Sequence, residues 1–451
     1  MSSRTWRRRA GAAAACLCCS TAAFAIDLTE SYQRALQADP SLRSSQAALS
    51  AGREKAVQGR SLLLPQVGLS AGVTHMNDRS SSNLQPPLSE LIKSDSSGTV
   101  QQAAVQLKQP LYDMQSAAGK QQLLQQADMA EITFRHAQQD LIQRVGEAYF
   151  NVLLAEESLR VTLAEKTAVQ LQRDRAQARY DVGRGKITDL HEAQARLDSV
   201  LAKEVAAQSQ LALAQAQYQE VTGVPAEGLA PLQAKLQPTP PMPDSLAAWQ
   251  QKGRDGNTRV LLKQREQIIA GQEIRKHALS GRPTVDLVAS YTVKSASGSL
   301  SPTVAPDGNR STAIGVQFNV PLFAGGALDS KQRESVAKKS QADEDLGVAQ
   351  RDARLQVQDA YLAVKNGVAK IAALEQSLVS TRTALEATTL ARDVGTRTEL
   401  DVLDAQQRVF TVQLDLAQAR NDYLLGRLKL ASAAGELQEG DLRALDAYLV
   451  R

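Results

Sequence analysis

Cysteine is missing from everything after residue 19: the three in this chain, Cys16, Cys18 and Cys19, sit together near its start. The remainder can build neither a disulfide framework nor a thiolate metal site. Aromatic residues are scarce, at 4%, which argues for an extended molecule rather than a stack of globular cores. The four histidines (His75, His136, His191, His277) are scattered. No HExxH and no Walker A motif occurs, so metal hydrolysis and nucleotide-driven pumping lack their residues. Gly68-Leu-Ser70-Ala-Gly72 fits G-x-S-x-G, but it falls inside an alternating strand pattern, whereas that motif requires a strand-to-helix elbow. No run of about 18 apolar residues follows the first 25, so no transmembrane helix is expected and a membrane role would need β-strands. No excess of charge remains either. The chain has 52 Lys+Arg against 48 Asp+Glu, and the four arginines Arg4, Arg7, Arg8 and Arg9 account for the difference. A nucleic-acid partner is disfavoured.

Residues 1–25 combine that basic start with a small apolar run and Ala23-Phe24-Ala25, the A-x-A pattern of a secretory leader. The mature chain is expected to begin at Ile26. No Leu stands three residues ahead of any cysteine, which disfavours a lipid anchor, and Arg7 to Arg9 read as the positive region of the leader rather than a twin-arginine signal.

Proline is also absent from Leu111 to Val224 and again from Leu322 to Arg451. In the first of these stretches Leu141, Val145, Ala148, Val152, Ala155 and Leu159 recur at steps of four and three, a coiled-coil seam that calls for a second helix along it. A continuous helix from Asp113 to Asp181 would be about 100 Å long. The chain breaks at Gly183-Arg184-Gly185, and Thr188 is the expected cap of the returning helix. The second stretch repeats the pattern: Ala353, Val357, Ala360, Val364, Gly367, Ile371, Leu374 and Leu378 form the seam, and Gly395 the break.

Ahead of each hairpin lie a helical segment and two strands. Val67, Leu69, Ala71 and Val73 alternate with small or polar residues, as do Ala103, Val105 and Leu107, and the latter strand is expected to stop at Pro110. Val285 to Val293 and Ile314 to Val320 are their counterparts. The polar stretches 77–98 and 295–311 read as loops. The register is constant at an offset of 212: Val145, Tyr149, Asp181, Gly183, Asp189, Gln194 and Gly223 match Val357, Tyr361, Asp393, Gly395, Asp401, Gln406 and Gly435. The chain is therefore divided into a leader (1–25), a first repeat (26–223), a proline-rich linker (224–245), a second repeat (246–440) and a tail (441–451). In the first repeat the strands are placed at about 66–76 and 99–109 and the hairpin at 111–223; in the second, at about 284–294 and 312–320, and 322–435. Tyr149 and Tyr361 read as packing residues, and Tyr112, Tyr291, Phe318 and Phe323 as a thin aromatic belt.

Four strands cannot close a barrel, and open edges are not tolerated in lipid. Three copies would supply twelve strands and twelve helical segments. The expected fold is mainly α with a membrane β-barrel: a homotrimer carrying a 12-stranded barrel above a 12-helix tunnel.

The duplicated units, together with Asp393 to Ala405 (DVGTRTELDVLDA) at the second turn, resemble the TolC-like outer-membrane export channels over nearly all of the mature chain. The resemblance implies a bacterial outer-membrane channel reaching through the periplasm, without cofactor or catalysis. It exports small molecules, proteins or both with a periplasmic adaptor and an inner-membrane transporter of the ABC, RND or MFS class. Asp401 and Asp404, three apart and so on one helix face, would by that resemblance form an acidic ring at the periplasmic entrance; by themselves they also suit a helix N-terminus. Arg397, with Thr188 and Asp189 across the other hairpin, would match the family's closed-state latch. Arg392 departs from the family, which often has a tyrosine there. The rival reading is a trimeric coiled-coil adhesin or structural protein, which does not account for strands placed inside a repeated unit. A periplasmic adaptor, normally with a single helical hairpin, is a further rival that leaves the repeat unexplained.

Overall fold

The computed structural model describes residues 26–79, 95–299 and 308–450; the expected leader lies outside them. Two short helices open the chain, α1 (Leu28–Ala38) and α2 (Pro40–Ser61). Asp39 separates them and does three jobs. It ends α1, its Oδ1 accepts the Leu42 amide at 2.7 Å to cap α2 with Pro40 as the first helical residue, and its Oδ2 meets Arg144 Nη1 at 2.6 Å. Burial works to raise the Asp39 pKa, but the Arg144 guanidinium and the Leu42 amide outweigh it and hold the carboxyl below its ordinary value. A lowered pKa stabilises the fold fully above the ordinary aspartate value and less as pH falls through the folded one. Asp39→Ala is expected to cost about 2 kcal/mol, the sum of a cap and a part-buried ion pair. The loss should show as a lowered unfolding midpoint at pH 7 that narrows toward pH 3.

Strands β1 (Gln66–Arg79), β2 (Asp95–Tyr112), β3 (Thr284–Gly298) and β4 (Gly308–Asn319) form one antiparallel sheet in the order β1-β2-β3-β4. All outrun the sequence expectation, drawing in polar residues first read as loop. β2 does not stop at Pro110. It continues through a register shift between Pro110 and Tyr112, where a bulge accommodates the missing N–H. Register joins the alternations into two faces. Val67, Leu69 and Val73 stand level with Leu107, Val105 and Gln101. Across the next pairings come Ala289 and Tyr291, then Ile314 and Val316. This face is bare: Leu69 is 75% and Ile314 77% exposed. The other face carries Ser70, Gly72, Gln106, Ser290 and Gly315, with Lys108 bridging to Asp286 at 2.9 Å. An apolar outside and a small, polar inside is the pattern of a membrane barrel wall. Ser70 sits in mid-strand opposite Ala104, with no elbow.

The two hairpins are α3 (Met114–Asp181) with α4 (Ile187–Thr222), and α7 (Ala327–Asp393) with α8 (Glu399–Ala433). The second starts at Ala327 rather than 322, because Gly325 and Gly326 take positive φ ahead of it. Between the repeats lie α5 (Leu246–Gly256) and α6 (Thr258–Ala278). Nearer the sheet the helices pack side by side as α2-α3-α6-α7, and toward the tips as α4-α3-α8-α7. The main core lies at mid-height, where Val145, Tyr149, Val152, Val357, Val364, Tyr423 and Leu428 meet.

The stretch 224–245, expected as a linker, is a strap built into that core. Leu229 bridges to Ile26 and Leu232 to Leu449, and Leu229, Ala230 and Leu236 are buried. Tyrosines of both repeats meet its polar groups, the backbone at Ala230 and Thr239 and the side chain at Asp244. Tyr149 places its hydroxyl 2.9 Å from the Ala230 carbonyl and 3.0 Å from that of Ile26, Tyr361 bonds Asp244, and the Tyr423 hydroxyl accepts the Thr239 amide at 2.8 Å. Tyr149 and Tyr361 thus do more than pack. The expected tail also has structure: α9 (Glu439–Asp446) buries Leu442 and Leu445, and Asp446 accepts the Leu28 amide at 2.9 Å, joining the two ends of the chain.

Candidate functional site at the hairpin tips

Each hairpin reverses at a glycine. Gly183 has φ 72 and Gly395 φ 81, the left-handed region that side chains avoid. Gly185 is needed for a different reason: a Cβ there would lie 3.0 Å from both the Arg179 Cβ and the Tyr180 amide nitrogen.

The second tip is tightly capped. Thr398 precedes α8 in a capping box in which Asp401 Oδ2 accepts the Thr398 amide at 2.8 Å and lies 2.9 Å from its hydroxyl. The Thr398 amide, its hydroxyl and then the charge of Arg397, 3.6 Å away, hold the Asp401 carboxyl below its ordinary pKa. The first tip lacks this device. Thr188 is not a cap: α4 is preceded by Lys186, which makes no side-chain capping bond. The reason lies in the repeat, since Lys186 occupies the place of Thr398 at the offset of 212. Asp189, the counterpart of Asp401, is half-buried, and no side-chain hydrogen bond or ion pair of Thr188 or Asp189 occurs among the described residues.

Val402, Leu403 and Ala405 are buried, which turns Asp401 and Asp404 outward together; Asp404 is exposed. Arg397 is also exposed and pairs with Asp401 of its own hairpin; within the chain nothing joins it to Asp189 among the described residues. Leu403 packs among Val169, Ala193, Leu197 and Val200, so the second hairpin plugs one side chain into the first.

A cluster the sequence reading passed over lies at the same level. Glu399 Oε1 is 3.2 Å from Arg392 Nη1, and its Oε2 is 3.1 Å from Arg179 Nη1 of the first hairpin. Arg392, noted as a departure from the family, is drawn into the turn and also meets Asp393 at 2.6 Å. An acid opening α8 and a base closing α7 are signals legible in sequence. The repeat obscured them, because Glu399, Arg392 and Arg179 correspond to Ile187, Tyr180 and Ala391.

Residues 31–224 and 270–436 match the family model described as outer membrane efflux protein. The chain is 33% identical over 430 residues to the outer membrane protein TolC of Vibrio cholerae, covering 95% of each chain. It is 30% identical over 431 residues to the alkaline protease secretion protein AprF of Pseudomonas aeruginosa, covering 95% of this chain and 88% of that one. Among solved structures, the outer membrane protein VceC of Vibrio cholerae superposes with a TM-score of 0.76 at 19% identity, over 90% of this chain and 96% of that one. That likeness concerns the fold alone. The adhesin reading finds no support among these relatives.

Proposed function

Because the chain belongs to the outer membrane efflux protein family, and is thus a non-enzymatic outer-membrane channel for efflux and secretion, we propose that it works as a trimer whose narrow end is an acidic, latched entrance in the periplasm. The observation that carries the trimer is a pair of unfinished edges. β1 and β4 each pair on one side only among the described residues. They run antiparallel, so β4 of one copy can pair with β1 of the next, and twelve strands from three copies would close a wall without edges. The helical layer ends in the same way, with α7 at one side and α2 or α4 at the other. On α7 the apolar Val348, Leu355 and Leu362 are exposed at 51%, 59% and 40%. Spaced seven apart, they make a seam that a neighbouring helix would cover.

In such a trimer Asp401 and Asp404 supply six carboxylates around the axis. Arg397 of one hairpin reaches Asp189 and Thr188 of another as a latch, weak enough for a docking partner to break, since exposed pairs are worth about 0–1 kcal/mol each. The partners are a periplasmic adaptor and an inner-membrane transporter of the ABC, RND or MFS class. The name of the Pseudomonas relative, a protease secretion protein, supports protein cargo, and the efflux family supports small molecules.

The test is single-channel current from the purified protein in a planar bilayer. A small, cation-selective conductance is expected, with a severalfold rise in an Arg397→Ser, Asp189→Ala variant. Unchanged conductance in that variant would sink the latch, and no conductance from a verified trimer would sink the channel arrangement.

A further inference from the structure

A recess of about 540 Å³ lies between α5 and α7, lined by Arg254, Arg351, Arg354 and Gln251 among others, and no carboxylate lines it. All three arginines are exposed, and none makes an ion pair among the described residues. Guanidinium groups gathered in one recess repel one another and are complementary to an anion. Where that anion comes from follows from how the chain packs on itself at the equivalent place in the first repeat.

There α3 packs on α8, and α1 on the segment after α8. Three contacts set this internal seam. Leu428 sits over Gly146, where a Cβ would lie 2.4 Å from its Cδ1. Gln139 Nε2 donates to the Gly435 carbonyl at 3.1 Å and to that of Leu437 at 3.4 Å. Gln33 Nε2, from α1, donates to Glu439 Oε1 at 3.2 Å.

The duplication supplies every one of these parts again, on the two free edges of the layer. At the offset of 212 the seam positions of α3 fall on α7, and those of α8 fall on α4 and the residues after it. Phe150 and Leu428 are 1% and 2% exposed, whereas their counterparts Leu362 and Ala216 are exposed. Gly146 and Leu428 become Gln358 and Ala216, so a large side chain again faces a small one with the bulk moved across. Gln33 and Gln251 are each the sixth residue of an 11-residue helix, α1 and α5. Gly435, Glu439 and Gly440 match Gly223, Glu227 and Gly228. The pair Gln33–Glu439 therefore recurs in kind as Gln251 and Glu227, on opposite edges of one copy.

The charges differ between the two seams in a compensating way. Glu439 is paired at 2.6 Å with Arg443, one turn further on in its own helix. The position matching Arg443 is Pro231, and Glu227 is exposed with no side-chain partner among the described residues. Across the seam, Gln139 and the buried Ile142 become Arg351 and Arg354. The acid has lost the cation of its own chain, and the facing helix has gained two.

We propose that the arginine recess is the seat of a second copy: the Glu227 carboxylate of the next copy enters it beside Gln251, and Arg351 meets the carbonyls that follow the end of that copy's α4. The contact is head-to-tail and so closes into a ring. It rests on the trimer reading and gives that trimer an ion-paired seam between copies where the seam within each copy is held by neutral amides.

The test uses the purified full-length protein. A Glu227→Cys, Gln251→Cys pair, in a chain whose only cysteines are Cys16, Cys18 and Cys19, should be joined by bismaleimidoethane into a covalent trimer on a denaturing gel, while either single variant runs as separate chains. Glu227→Gln should make the native trimer dissociate about tenfold faster at low salt, as expected when one partner of a charge pair at an interface is removed. Glu227→Arg should dissociate faster still, and adding Arg351→Glu to it should recover part of the loss, which a merely misfolded variant would not. A verified native trimer that yields no cross-linked product would overturn the seating. Cross-linking with dissociation of Glu227→Gln equal to the parent would overturn the ion pair. A parent protein that is monomeric throughout would instead defeat the trimer reading beneath it.

Discussion

Replacing Asp404 with Asn should weaken block of the channel by a trivalent cation about a hundredfold at low ionic strength. A trivalent ion about 10 Å from a unit charge in water gains about 1 kcal/mol, and a trimer loses three such contributions at once, about 3 kcal/mol in all. Asp404 is the cleaner of the two aspartates to change, because it is exposed and has no hydrogen-bond or ion-pair partner among the described residues. Asp401→Asn should weaken block comparably and also loosen the second tip, since its carboxylate closes the Thr398 capping box. The pair of variants therefore separates charge from structure: both lose block, and only Asp401→Asn lowers the unfolding midpoint. With its pKa held down by the Thr398 amide and Arg397, Asp401 keeps its charge at pH values where an ordinary aspartate is half-protonated. Repulsion among the copies of a ring works the other way. Block that persists from pH 7 down to about pH 4, where an ordinary aspartate is half-protonated, is the result expected if the cap outweighs repulsion. Full block by the Asp404→Asn channel would remove that residue from the entrance.

The largest stability effect is expected at Gly435, where α8 ends with φ 77. A Cβ added there would lie 1.9 Å from the Gly256 carbonyl oxygen and 2.2 Å from its carbonyl carbon. These are backbone atoms at the junction of α5 and α6, and they cannot rotate away. Gly435→Ala should cost about 3 kcal/mol, of which about 1 comes from the left-handed backbone and the rest from displacing the facing chain. The counterpart in the first repeat, Gly223 with φ 74, faces only the Ala38 methyl, at 2.6 Å. Gly223→Ala should therefore cost less, about 2 kcal/mol. Thermal unfolding of the two variants side by side checks the ranking. A Gly435→Ala protein that melts with the parent would mean that the α5–α6 junction yields without cost.

Much of this protein was already written in local patterns. The 4, 3 seams through Val145 and Val357, the period of two through Val67 to Val73, and the glycines at 183 and 395 each act over a few residues of their own chain. Helices, strands and turns therefore follow from the sequence in order, and the offset of 212 shows that the order occurs twice. The outward pairing of Asp401 and Asp404 was equally legible, since helical spacing alone puts them on one face. The cap expected at Thr188 from its residue type failed because a cap depends on the single residue at the N-cap, which is Lys186.

The tertiary structure alone decided the contacts between residues far apart in sequence. The strap at 224–245 reads as a linker because its prolines exclude helix. Its seating depends on Tyr149 and Tyr423 reaching its backbone from other parts of the chain. Asp39 meets Arg144 only after α2 has folded back along α3. Glu399 and Arg179 stand 220 positions apart, at sites where the two repeats differ, so neither periodicity nor duplication points to them. Hydrophobic spacing specifies which face of an element is buried; which charged groups then meet across two packed elements depends on their relative height and rotation, and those exist only in the assembled fold.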